Sequence, residues 1–320
     1  MKKAIVLIAL IVLIAGCITE RSVRTDANNG LQVNEFSADL DTMYDNEDVT
    51  IYLEVENVGG TTANDAKARL YGIDSWNISG SNVRDIGDLE KPDIVTGVPG
   101  EFDSVMWTIT PPNLPEGLQQ PFKVSSRVRY EYYSNSVTNI DVISRAQYDL
   151  LRKTGELEQV PVTSTNTNGP IKIDVEVMEP IKLDAPAEGS INKTEKNVLI
   201  YVRNVGDGIP FGGDVSNVPD WPDDTTIGKL ELEVKTPGAP DSVELKECFG
   251  REDSTKGNTG LTDVEITLRS GYESYKGVCT LVIPDDFADA VPTETITLTI
   301  ESTYGYYIDT PLDVTVISSR

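Results

Sequence analysis

Apolar and polar side chains alternate through Val49, Ile51, Leu53 and Val55, with Thr50, Tyr52, Glu54 and Glu56 between them. A period of two places the four aliphatic groups on one face of an extended strand, which a helix of 3.6 residues per turn does not do. Val105, Trp107 and Ile109 repeat the pattern, as do Val124, Val128 and the tyrosines after them. Turn residues separate these runs at Asn57-Val58-Gly59-Gly60, Gly97-Val98-Pro99-Gly100 and Pro111-Pro112-Asn113. Amphipathic strands between such turns predict an all-β, antiparallel sandwich.

The pattern occurs twice. Val55-Glu56-Asn57-Val58-Gly59 matches Val202-Arg203-Asn204-Val205-Gly206. Tyr130-Glu131-Tyr132-Tyr133 matches Tyr304-Gly305-Tyr306-Tyr307, and Val142-Ile143-Ser144 matches Val316-Ile317-Ser318 at the same offset. The second copy is the longer one. Its extra residues are expected in the Gly206–Thr226 segment and around Cys248 to Cys279. Between the copies, Ser144 to Glu158 carries Ala146, Leu150 and Leu151 at helical spacing, with Ser144 as an N-cap and Gly155 as a stop. The predicted organisation is therefore a first sandwich over 31–144, a short helix and linker over 145–169, and a second sandwich over 170–320. Each is expected to bury its own core.

Charge and residue usage narrow the function. The 52 acidic residues outnumber the 27 basic ones, for a formal charge of −25. Such a surface repels phosphate backbones, which excludes nucleic acid as an expected partner. Histidine is absent. That removes the imidazole of Ser-His and Cys-His catalysis and of zinc sites, so no enzyme is expected.

The first seventeen residues place the chain. Lys2 and Lys3 precede an uncharged run from Ala4 to Ala15, too short to cross a hydrocarbon core of about 30 Å. Ile14-Ala15-Gly16-Cys17 resembles the lipobox of prokaryotic lipoproteins. The resemblance implies a signal peptide over 1–16, a diacylglyceryl group on Cys17 and attachment to the outer face of the cell membrane; the alternative is an ordinary secretory signal with an incidental cysteine. Residues 17–30 read as a tether between lipid and fold. With Cys17 assigned to lipid, Cys248 and Cys279 are left as one disulfide of an exported protein or as two buried thiols.

The Leu31–Tyr71 passage, with its DVTIYLEVENVGG core, resembles the CARDB and related NEW3-like modules of archaeal and bacterial surface proteins. Asn57 and Gly59, and Asn204 and Gly206, occupy the positions of the V-x-N-x-G turn in those modules. The resemblance implies two tandem immunoglobulin-like domains serving surface display, adhesion or spacing, and it carries no catalytic residues.

Other residues offer binding chemistry. The paired tyrosine strands pack a core with their hydroxyls bonded at its rim, or present a patch for glycan or protein. Calcium takes about six to eight oxygen ligands, and Asp214, Asp220, Asp223 and Asp224 form the acidic loop best suited to it. Asn77-Ile78-Ser79 and Asn192-Lys193-Thr194 are glycosylation sequons. The expected function is a non-enzymatic, lipid-anchored surface protein with a structural, adhesive or protein-binding role. Its rival is an accessory lipoprotein that captures glycan or calcium for a transporter or glycosidase. No cofactor is expected beyond that calcium. The second domain, farther from the lipid along the chain, is the expected recognition module.

Overall fold

A computed structural model describes residues 23–183, 193–212, 220–240, 243–252, 260–269, 274–288 and 292–320. The signal peptide expected over residues 1–16, and Cys17, Asn192 and Asp214, lie outside them. The described chain is nearly all β, in antiparallel sheets. The first copy contributes β1 (Leu31–Ala38), β2 (Thr42–Tyr44), β3 (Val49–Asn57), β4 (Ala63–Tyr71), β5 (Asn77–Ile78), β6 (Val83–Leu89), β7 (Phe102–Thr110) and β8 (Gln119–Ile143). Helix α1 (Arg145–Thr154) follows, with β9 (Val160–Pro161) and β10 (Ser164–Asn166) in the linker. Then come β11 (Ile171–Glu176), β12 (Met178–Glu179), β13 (Ile181–Lys182), β14 (Lys193–Asn204), β15 (Ile209–Phe211) and β16 (Lys229–Lys235). The chain closes with β17 (Glu244–Cys248), β18 (Arg251–Glu252), β19 (Leu261–Thr267), β20 (Tyr275–Pro284) and β21 (Thr293–Ile317).

Helix α1 forms where its caps specify. Ser144 accepts a hydrogen bond from the Gln147 amide at 3.3 Å, and Gly155 ends the helix at φ 76°.

Two 25-residue strands dominate the molecule. β8 and β21 pair antiparallel over their whole length, from Gln119 opposite Ile317 to Ile143 opposite Thr293. At about 3.3 Å per residue the ribbon runs about 80 Å. Buried side chains on β8 keep the period of two throughout: Val124, Val128, Tyr130 and Tyr132, then Ser134, Ser136, Thr138, Ile140 and Val142. No bulge interrupts the pairing, so both ends of the ribbon turn the same face inward.

The ribbon is the centre of a ten-stranded sheet in the order β19-β16-β21-β8-β4-β6, with β2 and β15 also on β21 and β10 and β13 on β8. A four-stranded sheet, β1-β3-β7-β5, packs on one end of its inner face, where Trp76 meets Phe122 edge-on at 5.4 Å. A five-stranded sheet, β11-β14-β20-β17-β18, packs on the other, where Ser136 Oγ donates to the Ile173 carbonyl at 2.6 Å.

This arrangement corrects the expectation of separate cores. The second part of β8 leaves the first sandwich and completes the second, while the second part of β21 returns to complete the first. The exchange is reciprocal. β2 of the first copy runs parallel to the end of β21, and β13 of the second runs parallel to the end of β8. Glu131 corresponds to Gly305 in the repeat and also pairs with it, so a local two-fold axis passes through that pair. Buried residues from both copies consequently join in one hydrophobic cluster. Strands this long have no turn at which each half could close on itself.

The carboxyl end of the chain is clasped to the first copy. The Asp45 amide donates to the Ile317 carbonyl at 2.9 Å, and the Asp45 carboxylate accepts from the Ser319 amide at 2.7 Å and the Leu114 amide at 2.9 Å. Hydrogen bonds from Ser319 first, then from the Leu114 amide, hold this carboxyl below the usual carboxylate range. A lowered folded value means that the stabilisation is complete above the unfolded value and is lost as pH falls through the folded one. Asp45→Asn is thus expected to lower Tm above about pH 5, by an amount that shrinks as pH falls below about 4. Thermal melts of both proteins across that range check this, and a difference that persists undiminished at the acid end refutes it.

Candidate functional site

The two-fold axis gathers the residues that the repeat singled out. Tyr130, Tyr132, Tyr304 and Tyr306 are all buried and form a ring. The centroid separations are 5.8 Å for Tyr130–Tyr132 and Tyr130–Tyr306, and 6.3 Å for Tyr132–Tyr304 and Tyr304–Tyr306. Tilted and edge-on contacts at these distances suit aromatic quadrupoles.

Each hydroxyl has an assigned task. Tyr132 Oη accepts from the Gly60 and Thr61 amides at 2.9 and 3.2 Å and donates to the Asn168 carbonyl at 3.1 Å. Tyr306 Oη accepts from the Gly208 amide at 2.9 Å and donates to Asn204 Oδ1 at 2.9 Å. Tyr130 Oη accepts from the Leu31 amide at 3.2 Å, and Tyr304 Oη bonds Ser134 Oγ at 2.8 Å. Burial holds the Tyr130 and Tyr304 hydroxyls well above their ordinary value, so neither ionises near neutrality.

The Asn-x-Gly turns repeat as well. Asn57 Oδ1 accepts from the Gly59 amide and Asn57 Nδ2 donates to the Thr61 carbonyl; Asn204 does the same with Gly206 and Gly208. These asparagines and tyrosines are structural. Of the two readings of the tyrosine strands, the buried one applies.

The tether enters at this axis. Asp26 donates its amide to the Val58 carbonyl at 2.7 Å, the Gly169 amide donates to the Ala27 carbonyl at 3.1 Å, and the Asp207 amide donates to Asn29 Oδ1 at 3.2 Å. The segment therefore lies across both turns. A Cβ at Gly59 would clash with the Tyr132 hydroxyl and lie 2.9 Å from the Asn29 carbonyl oxygen; one at Gly206 would lie 2.6 Å from the Tyr306 hydroxyl and 2.9 Å from the Asn28 carbonyl oxygen. The tether expected over 17–30 is, in its described part at Asp26 to Asn29, bonded to the turns of both copies, so the second copy stands no farther from this segment than the first.

Two cavities flank the segment. One of about 340 Å³ is lined by Asp26, Asn29, Gln32, Asp207, Ile308 and Asp309 among others, with each of its three carboxylates taken by Asn29 or Arg127. The other, of about 420 Å³, is lined by Thr25, Gly60, Pro92, Ile94, Val95 and Asn168 among others.

A cationic cluster lies on the opposite face of the large sheet. Lys67 and Arg69 on β4 adjoin Arg129 and Arg127 on β8. Arg129 is only 1% exposed, and its Nη2 meets Asp65 at 2.6 Å and Asp220 at 2.7 Å. Lys67 Nζ reaches the same Asp220 at 2.8 Å, and Arg69 stacks on the Trp221 ring at 3.8 Å. Bonds from Lys67 and then Arg129 lower the Asp220 carboxyl. Asp220 and Trp221 of the second copy thus lie against the sheet of the first. Sequence reasoning missed this cluster, whose available signal is two cations at alternate positions on each of two strands in a strongly acidic chain.

The described members of the expected calcium site are not brought together. Asp220 is held by the two cations, Asp223 accepts from the Thr225 and Thr226 amides at 2.8 and 3.0 Å, and Asp224 is exposed. Among the described residues no group of three or more acidic or cysteine side chains is placed to hold a metal ion. Asp220→Ala strips Arg129 of one of its two close carboxylates. It is expected to cost about 1–2 kcal/mol, reduced from the fully buried case because Asp220 is 71% exposed. Thermal melts, together with faster proteolysis after Trp221, provide the check.

Cys248 and Cys279 form a disulfide between the neighbouring strands β17 and β20. Asn77 is exposed at the start of β5, a position a glycan can reach.

No protein family matches the chain, and no curated protein is similar to it. Solved structures are only distantly alike. The secreted serine protease VesC from Vibrio cholerae is 13% identical at a TM-score of 0.21, over 87% of this chain and 51% of that one, so the chain spans about half its length. The collagen adhesin from S. aureus is 9% identical at 0.13 over 93% and 96% of the two chains. The ACE adhesin of Enterococcus faecalis is 8% identical at 0.10 over 92% and 97%. Scores this low carry no argument about ancestry or activity.

Proposed function

We propose that this chain is a non-enzymatic, lipid-anchored protein of the outer face of the cell membrane, where it serves as a structural or adhesive element that binds other surface proteins. The observation that carries this reading is the β8–β21 ribbon. It welds two sandwiches into one body of about 80 Å with its tether attached at the middle. The conspicuous tyrosines, asparagines and Asp220 are engaged in holding that body together. The disulfide suits an oxidising compartment outside the cytoplasm. Two acyl chains on Cys17 would suffice for stable attachment, since each buried methylene contributes about 0.8 kcal/mol.

Mass spectrometry of the amino-terminal peptide, combined with a surface-impermeant amine reagent on intact cells, tests the proposal. The expected result is a diacylglyceryl group on Cys17 and labelling without lysis. A mature terminus elsewhere, a free Cys17 thiol or labelling only after lysis overturns it.

A further inference from the structure

The β6–β7 connection carries the two most exposed aliphatic side chains of the described chain, Val95 at 96% and Ile94 at 68%, with Val98 at 54% beside them. Three branched aliphatic side chains on one short turn are unusual at a water-facing surface and mark a contact with something apolar.

The turn is preformed. Asp93 accepts from the Val95 amide at 2.9 Å and the Thr96 amide at 3.2 Å through Oδ1, and from Thr96 Oγ1 at 2.6 Å through Oδ2. The backbone closes below it, with the Asp93 amide donating to the Val98 carbonyl at 2.9 Å and the Val98 and Gly97 amides donating back to Asp93 at 3.0 and 2.9 Å. The Val95, Thr96, Gly97 and Val98 amides and the Thr96 hydroxyl therefore have partners inside the turn, which lowers the penalty for bringing it to an apolar phase.

The position of the turn identifies its occupant. Ile94 and Val95 line the same cavity as Thr25, where the described chain begins to run out toward Cys17. Eight residues separate Thr25 from Cys17, a reach of at most about 28 Å when fully extended. Resting on the proposed lipidation of Cys17, we infer that Ile94, Val95 and Val98 insert into the membrane interface as a second contact beside the acyl chains. The short tether supplies a high local concentration of bilayer, so a partition too weak to hold a free protein becomes occupied. Glu90, Asp93 and Glu101 against Lys91 make the surroundings of the turn net negative, which favours zwitterionic over anionic headgroups.

Full-length lipidated protein in phosphatidylcholine vesicles tests the inference. With Cys17 acylated and Cys248 bonded to Cys279, Val95→Cys introduces a single reactive thiol for a polarity-sensitive fluorophore. Ser81→Cys, at the far end of β6, serves as the control. The expected result is a blue shift at position 95 and about two-fold or greater quenching by lipids with a nitroxide near the headgroup, neither of which appears at position 81. Adding anionic lipid should weaken both effects. If the protein floats with vesicles and its amino-terminal peptide is acylated, yet the label at 95 behaves as it does without lipid, this inference fails while the lipid anchor stands. Failure of acylation and flotation overturns both. A shift that requires cell extract rather than lipid assigns the turn to a protein partner and also overturns the inference.

Discussion

Tyr132→Ala, although made in the first copy, is expected to destabilise the whole chain by about 3–5 kcal/mol. The ring is buried at the two-fold axis between Tyr130 and Tyr304, one from each copy. Its loss opens a cavity that both sandwiches share. Tyr132→Phe keeps the ring contacts and removes only the hydroxyl. The Gly60 amide retains the Asn168 carbonyl as an acceptor at 2.9 Å, so the Thr61 amide alone is stranded, and the expected cost is about 1–3 kcal/mol. Calorimetry distinguishes a shared core from two separate ones. Chains of this size with two repeats commonly unfold in stages. Here a single transition is expected for the native chain and for both variants, with calorimetric and van't Hoff enthalpies in agreement. Two resolved transitions, only one of them moved by the substitution, would sink the shared core.

Removing the disulfide is the second large effect expected. Cys248 and Cys279 are 31 residues apart, and in the chain-entropy picture opening that loop costs about 3–4 kcal/mol. The repeat explains the position of the bond. Ile51 pairs with Trp107 in the first copy, and its counterpart Val198 pairs with Cys279 in the second. A buried indole therefore fills in one sandwich the place that a covalent link occupies in the other. Trp107→Ala should cost about 3–5 kcal/mol, and Cys248→Ala with Cys279→Ala an amount close to it. Urea midpoints measured with and without reductant, with alkylation confirming that the thiols are free, provide the test. An unchanged midpoint in fully reduced protein contradicts this account.

Much of the architecture was legible before any coordinates. Period-two runs identified β3, β7 and β8, and Ser144 and Gly155 bounded α1. The long Gly206–Thr226 insertion lies between β14 and β16, where the unequal repeat offsets required it. The two cysteines left over formed their bond. The misreadings have physical causes. Strands average about five to six residues, and turn-type residues occur inside both long strands, Ser134-Asn135-Ser136 in β8 and Gly305 and Pro311 in β21, so each reads as several short strands. Asp220 looked like a metal ligand because an acidic cluster in one dimension does not show the cations that folding brings to it. Lys67 and Arg129 lie far from Asp220 in the chain and meet it only because β4 and β8 are neighbours.

The amino-acid sequence by itself determined strand periodicity, the helix caps and the duplicated turns. All of these depend on residues close together in the chain. Tertiary structure alone decided that the two copies exchange strand ends, that the Asp26 to Asn29 segment crosses their common axis, and that Asp220 and Trp221 lie against the first copy's sheet. Pairing in a sheet is set by which edges meet in space and by the register that buries the most apolar surface. Two copies with compatible patterns can satisfy that condition with each other as well as within themselves, and only the assembled core selects between the two.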